Sequence, residues 1–285
     1  MKRWSVAGAI ALLPIATYGA GMVITPVQLG LVGAAGSTVR GVINVSSPRP
    51  QENRIRITFG DYLIDDRGHR TEVSPANAPA RSCRAWLEVD QDQFVSPEQG
   101  KVPVVVSAHI PANASGSYWA EVYFQIVPAP PSFTPAGRAP MVGVQVLPRI
   151  SIPVIVTVQG TEKYAMKIEK LDAAKTEDGI ETSVIVQNTG NAAAMISGAL
   201  AVERPSTTDA SEELASKDIE PVTSYPGAKR VIKLNLPLKI VDAASADLHA
   251  YFRYGPGKDQ AIEASSKLQA LLESHRDADG PSSKQ

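Results

Sequence analysis

Met141 to Val158 reads MVGVQVLPRISIPVIVTV, and its spacing decides the fold class. Val142, Val144 and Val146 fall on one face of an extended chain. After Pro148, the residues Ile150, Ile152, Val154, Val156 and Val158 do the same. Period two sustained over this length is a strand signal. Pro148 and Pro153 exclude a helix, because each removes an amide donor and clashes with the preceding turn. The stretch is therefore one long strand, bent or bulged near Pro148. A proline-rich loop, Pro128 to Pro140, precedes it, and Gln159-Gly160-Thr161 follows it. The strand closes one domain and leads into another.

The 285 residues suffice for two domains. Twenty-two prolines and 21 glycines favour many turns, and 44% hydrophobic residues suit a packed chain. A net charge of −1 points to no nucleic-acid partner and no basic membrane patch. The single cysteine, Cys83, excludes an internal disulfide and a multi-cysteine zinc site, and burial is the expected role.

Met1-Lys2-Arg3 is basic, Trp4 to Ala16 is apolar, and small residues follow at Gly19, Ala20 and Gly21. This is the pattern of a signal peptide over residues 1–21, with cleavage after Gly19 or Gly21. The mature chain is expected to be exported; the family resemblance carried by segments further along the chain implies the periplasm, with the cell surface as the alternative.

Alternating segments continue on both sides of the long strand. From Met22 to Gly160 the expected strands are Val23 to Val32, Thr38 to Val45, Arg54 to Leu63, Arg84 to Val89, one around Val102 to Val106, Tyr118 to Val127, and the long strand itself. About seven strands with no convincing helix suggest an antiparallel, immunoglobulin-like sandwich over residues 22–160. A second, smaller sandwich is expected over 161–258. Its strands are read near Ala165 to Lys170, Thr182 to Gln187, Ile196 to Val202, Arg230 to Leu236 and Asp247 to Tyr254, with Glu203 to Asp218 as a polar loop. From Gln260 to His275 the apolar residues shift to helical spacing, so a short helix and a polar tail are expected over 259–285. The fold class is all-β.

No catalytic constellation emerges. Neither G-x-S-x-G nor H-E-x-x-H occurs, so no hydrolase motif is present. His69, His109, His249 and His275 lack ligand-spaced partners, and Asp61, Asp65-Asp66 and Asp90-Gln91-Asp92 read as solvated turns. Trp86, Trp119, Tyr118 and Tyr123 read as packing residues. The chain is expected to be non-catalytic, with no metal, no cofactor, no small-molecule substrate and no nucleic-acid ligand.

Several segments resemble the periplasmic chaperones of chaperone–usher pili. These are Pro97-Glu98-Gln99-Gly100-Lys101 running into Val102 to Val106, and Gly116-Ser117-Tyr118-Trp119-Ala120-Glu121-Val122. Others are Val186-Gln187-Asn188-Thr189-Gly190-Asn191 and Tyr225-Pro226-Gly227-Ala228-Lys229-Arg230. The resemblance implies two immunoglobulin-like domains and a pilus or fimbrial subunit as partner, with an outer-membrane usher as a second. It implies binding by strand addition from the last strand of the first domain, with Val142, Val144 and Val146 as the donated side chains. It also implies that a basic residue near that strand, here Arg149, anchors the subunit's terminal carboxylate. Val23 to Val32 carries no basic residue, so the family's second anchoring arginine has no counterpart there. From the residues alone, an exported structural or adhesion protein using its sandwiches as a scaffold for protein binding remains the other reading.

Overall fold

A computed structural model describes residues 17–19, 22–47, 53–96, 100–127, 147–205, 211–238 and 245–278. Chain contacts divide them into two compact units. One takes the described residues up to Asp61, then Ser82–Pro111 and Trp119–Val156. The other takes Tyr62–Arg81, Ala112–Tyr118 and everything from Thr157 onward.

The first eleven strands are β1 (Thr17–Gly19), β2 (Met22–Thr25), β3 (Leu29–Gly33), β4 (Thr38–Ser46), β5 (Asn53–Ile64), β6 (Arg70–Val73), β7 (Leu87–Val89), β8 (Gln93–Ser96), β9 (Lys101–His109), β10 (Gly116–Val127) and β11 (Arg149–Val158). They form two sheets. One runs β1–β2–β4–β9–β7. The other runs β3–β11–β10–β5–β6, with β8 also paired to β5. β1 with β2, β2 with β4, β4 with β9, β7 with β9, β5 with β10 and β5 with β8 all pair antiparallel. β1 lies inside the stretch read as a leader and pairs with β2, whose other side is held by β4.

The two sheets meet where alternation places apolar side chains. Ile43, Val45, Val104 and Val106 from one sheet are buried, as are Ile55, Ile57, Val122, Phe124, Val154 and Val156 from the other. Gly41 on β4 leaves room for Leu29 and Leu31 of β3, because a Cβ there would stand 2.8 Å from a methyl of each. This is the face-to-face contact of a sandwich.

The expected single strand Val23 to Val32 is in fact two. The chain crosses from one sheet to the other between Thr25 and Leu29, so β2 and β3 have different neighbours. Pro26 cannot donate to a ladder, and the break falls at it. The expected strand Arg84 to Val89 begins as a 3-10 turn, Arg84–Trp86, and only Leu87–Val89 is extended. Of the long strand, Met141 to Val146 lies outside the described residues and β11 starts at Arg149.

The second sandwich consists of β12 (Met166–Lys175), β13 (Ile180–Asn188), β14 (Ala194–Arg204), β15 (Glu212–Ser224), β16 (Lys229–Leu236), β17 (Asp247–Tyr254) and β18 (Gln260–Lys267), followed by α1 (Leu268–Ala278). Its sheets are β12–β13–β16 and β15–β14–β17–β18. Leu171, Val184 and Val186 from the first meet Ile196, Leu200, Val202, Leu248 and Phe252 from the second in one core, closed by Leu268 of α1.

Three local expectations are corrected here. Gln260–Lys267 is a strand, and the helix starts only at Leu268. Pairing with β17 decides this, because Ile262 and Ala264 then pack against the core. Glu212–Ser224 is a thirteen-residue edge strand, although Glu203 to Asp218 reads as a loop. Its charged residues and Pro221 suit an edge that must not recruit further strands. In β12 the register shifts between Ile168 and Lys170. That bulge turns Lys170 outward and Leu171 inward, where uninterrupted alternation would bury the lysine.

Phe252 is fully buried between the two sheets of the second sandwich. Phe252→Ala is expected to lower unfolding free energy by about 3–5 kcal/mol through lost apolar transfer and the cavity left behind. Denaturant-induced unfolding of the purified variant checks this.

Candidate partner-binding site

β11 lies one strand in from the edge of its sheet, between β3 and β10. Its alternation holds as read: Ile152, Val154, Val156 and Val158 are buried on the inner face. Ile155 and Thr157, on the opposite face, are at most 9% exposed. The second half of β11 is therefore core on both sides. β3 has five residues against ten in β11, so β3 can pair with no more than half of β11's free side.

Pairing with β10 extends slightly before the first residue of β11. The amide of Ile126 donates to the carbonyl of Pro148 at 3.2 Å. Val142, Val144 and Val146, the expected donated side chains, lie outside the described residues.

Arg149 is exposed, and its guanidinium sits 4.2 Å from the centroid of the Tyr123 ring. The positive charge over the ring face is a cation–π contact. Tyr123 is itself held by its neighbour on β5. A Cβ at Gly60 would stand 2.3 Å from Cε2 of Tyr123, so only glycine leaves room for the ring. Gly60 and Tyr123 thus orient Arg149, and neither was expected to. Their contact follows from the register of β5 with β10, in which Gly60 faces Glu121 and Thr58 faces Tyr123.

A polar cluster lies in the same unit. Asp61 is 2% exposed, against the expectation of a solvated turn. It sits within β5, directly after Gly60, rather than in the loop after the strand. Its carboxylate accepts from the Ser82 hydroxyl and lies 3.5 Å from the Arg84 guanidinium. Cys83 follows directly, fully buried, with its amide donating to the Trp119 carbonyl at 3.2 Å. Burial pushes the Cys83 thiol far above its ordinary range, and the Asp61 charge pushes it further. A thiol so raised is neither a nucleophile nor a redox partner in the folded chain.

The histidines are dispersed. His69 pairs with Asp65 at 3.0 Å, and His109 lies between Thr38 and Glu88 at 2.9 and 3.0 Å. His249 lines a shallow groove of about 660 Å³ with Glu203, Tyr251 and Glu263 on the second sandwich. Among the described residues, no group of three or more His, Cys, Asp or Glu side chains could hold a metal ion. Among them, too, no helix is long and apolar enough to cross a membrane. Trp119 and Tyr123 are buried, in keeping with the packing role expected of them.

No protein-family model matches the chain, and no curated protein matches its sequence. Solved structures similar to it include the class 5 fimbriae chaperone CfaA, at 14% identity and a TM-score of 0.48, covering 86% of this chain and 98% of that one. A second is the CsuC–CsuE chaperone–tip adhesion subunit pre-assembly complex of Acinetobacter baumannii, at 9% identity and a TM-score of 0.43, covering 86% and 98%. A third is the SafA pilin in complex with the SafB chaperone from Salmonella enterica, at 11% identity and a TM-score of 0.43, covering 89% and 100%.

Cys83 is expected to stay unmodified by an aromatic disulfide reagent under native conditions and to react stoichiometrically once denaturant unfolds the chain. Absorbance of the released thiolate reports both phases, and rapid native labelling would show that the side chain is not enclosed.

Proposed function

We propose that this chain is a non-catalytic periplasmic chaperone that binds an incomplete pilus or fimbrial subunit by strand addition from Met141 to Leu147. The period-two run that leads from Met141 into β11 carries the reading. β11 itself is flanked by β3 and β10, so the strand to be lent is the stretch before it. The alternating Val142, Val144 and Val146 supply the apolar side chains that such an addition places in the subunit's groove. Arg149, held over Tyr123 at the start of β11, is suited to a bidentate pair with a carboxylate.

Removal of the leader would deliver the chain to the compartment where such subunits are exported. Capping by the strand would satisfy a sheet edge and an open groove that otherwise promote aggregation. An outer-membrane usher is the natural second partner for the capped complex.

Val144→Glu with Val146→Glu is expected to abolish co-purification of the subunit from periplasmic extracts while leaving circular dichroism and the unfolding midpoint unchanged. Arg149→Gln is expected to weaken capture by about tenfold, the scale of one charge-assisted hydrogen bond. Undiminished capture by the double variant would exclude strand donation and favour a scaffold whose loops hold the partner.

A further inference from the structure

Among the described residues, β3 ends its sheet: β11 pairs along one side and no strand lies along the other. The strand reads LGLVG, and Arg40 is the first charged residue after Met22. End strands elsewhere are charged. β6 carries Arg70 and Glu72, β7 carries Glu88, β16 carries Lys229, Arg230 and Lys233, β18 carries Glu263 and Lys267, and β12 and β15 are charged along their length. Such charges keep an edge from recruiting further strands. β1 and β8 are uncharged as well, but they have three and four residues, and Arg54 and Arg56 on β5 face β8 at Val95 and Gln93. Two copies joined along β8 would bring these arginines toward one another.

Two features of β3 have no explanation within one chain. Leu29 and Leu31 point into the core, which leaves Gly30 and Val32 on the outer face. Val32 is 61% exposed, the highest value for a large apolar side chain among the described residues. Beside it on that face, a Cβ at Gly30 would meet nothing within 4 Å, and Gly30 is not among the glycines with positive φ. Neither crowding nor backbone conformation requires glycine at this position, although glycine weakens a strand. Gly33 differs, because a Cβ there would stand 2.2 Å from a methyl of Val39.

We infer that β3 is a self-association edge, at which two copies of this chain pair their β3 strands antiparallel about a two-fold axis through Leu31. That centre alone pairs all five residues of one β3 with all five of the other. It sets Leu29 opposite Gly33, Leu31 opposite Leu31 and Gly30 opposite Val32, so inward residues stay inward in both copies. Each exposed Val32 then covers the bare backbone of the other copy's Gly30, and no charge is set against a like charge. The two features left unexplained in one chain become complementary halves of one contact. Because the same patch is used by both copies, the contact closes at two chains. Five residues on each side bury less than the roughly 1,000 Å² that a stable interface needs, so the pairing is weak and follows concentration. It holds whether or not Met141 to Leu147 is lent to a partner.

Sedimentation equilibrium of the purified full chain tests this. Between about 10 μM and about 1 mM, the weight-average mass is expected to rise from one chain toward two and no further. Val32→Lys, at an exposed position, is expected to weaken the association at least about tenfold while leaving the unfolding curve unchanged. The Val144→Glu, Val146→Glu variant is expected to associate as the parent does, which separates this edge from strand donation. Register is read by mixing a Gly30→Cys chain with a Val32→Cys chain, told apart by mass, with oxidised glutathione as the oxidant. Opposed Cβ atoms lie about 4.5–5.5 Å apart and diagonal ones about 7–8 Å, so the mixed disulfide is expected to outpace either like pair. The buried Cys83 stays silent. A mass that remains at one chain, growth beyond two, association unchanged by Val32→Lys, or like pairs that form as fast as the mixed one would each overturn the assignment.

Discussion

One N-terminal segment serves two sheets, and the pairing of both depends on that division. Met22 and Ile24 on β2 and Leu29 and Leu31 on β3 are all buried, so the segment is anchored on both sides of its crossing at Pro26. Neither half is long. β2 spans four residues against nine in β4, and β3 spans five against ten in β11. Had the segment stayed in one sheet, it could have covered most of one neighbour. By crossing, it closes both sheets partially. An edge left partly paired is a hazard where it is apolar and flat, and is tolerated where it is short or charged.

The core of the first sandwich is closed without a disulfide. β10 is buried from Trp119 to Phe124 on both faces, and β11 is buried on both faces from Ile152 onward. Two adjacent strands with both faces covered resist local opening better than a sheet with one wet face. Asp61 does not weaken this region, because Ser82 satisfies its carboxylate and the partly exposed Arg84 balances its charge.

Elements with strict period two were legible in the sequence. β17 spans the Asp247 to Tyr254 stretch expected of it, and the inner face of β11 holds the residues expected there. Misreadings fell where a neighbour, not the local pattern, decides the conformation. β15 is an edge strand whose charges imitate a loop, and β18 has the alanines and spacing of a helix yet is held by β17. The bulge at Glu169 reverses which side chains face inward and leaves no mark in composition. The candidate site divides in the same way. Arg149 could be singled out by its position along the chain. Tyr123 and Gly60 could not, because they meet only once the register of β5 against β10 is known.

That register gives the site its physical sense. A side chain that must meet a charged group from a partner needs a fixed direction, yet an exposed arginine in free rotation loses roughly 2 kcal/mol of rotamer entropy on being held. The ring of Tyr123 bears part of this restriction, because the Arg149 guanidinium rests against its face. The ring in turn is fixed by the absence of a side chain at Gly60 and by burial to 3% exposure. The order of support runs from a packed strand pair, to an immobile aromatic ring, to an oriented cation at the surface. Each step is fixed because the one beneath it is buried, which is the condition for a surface group to keep its geometry.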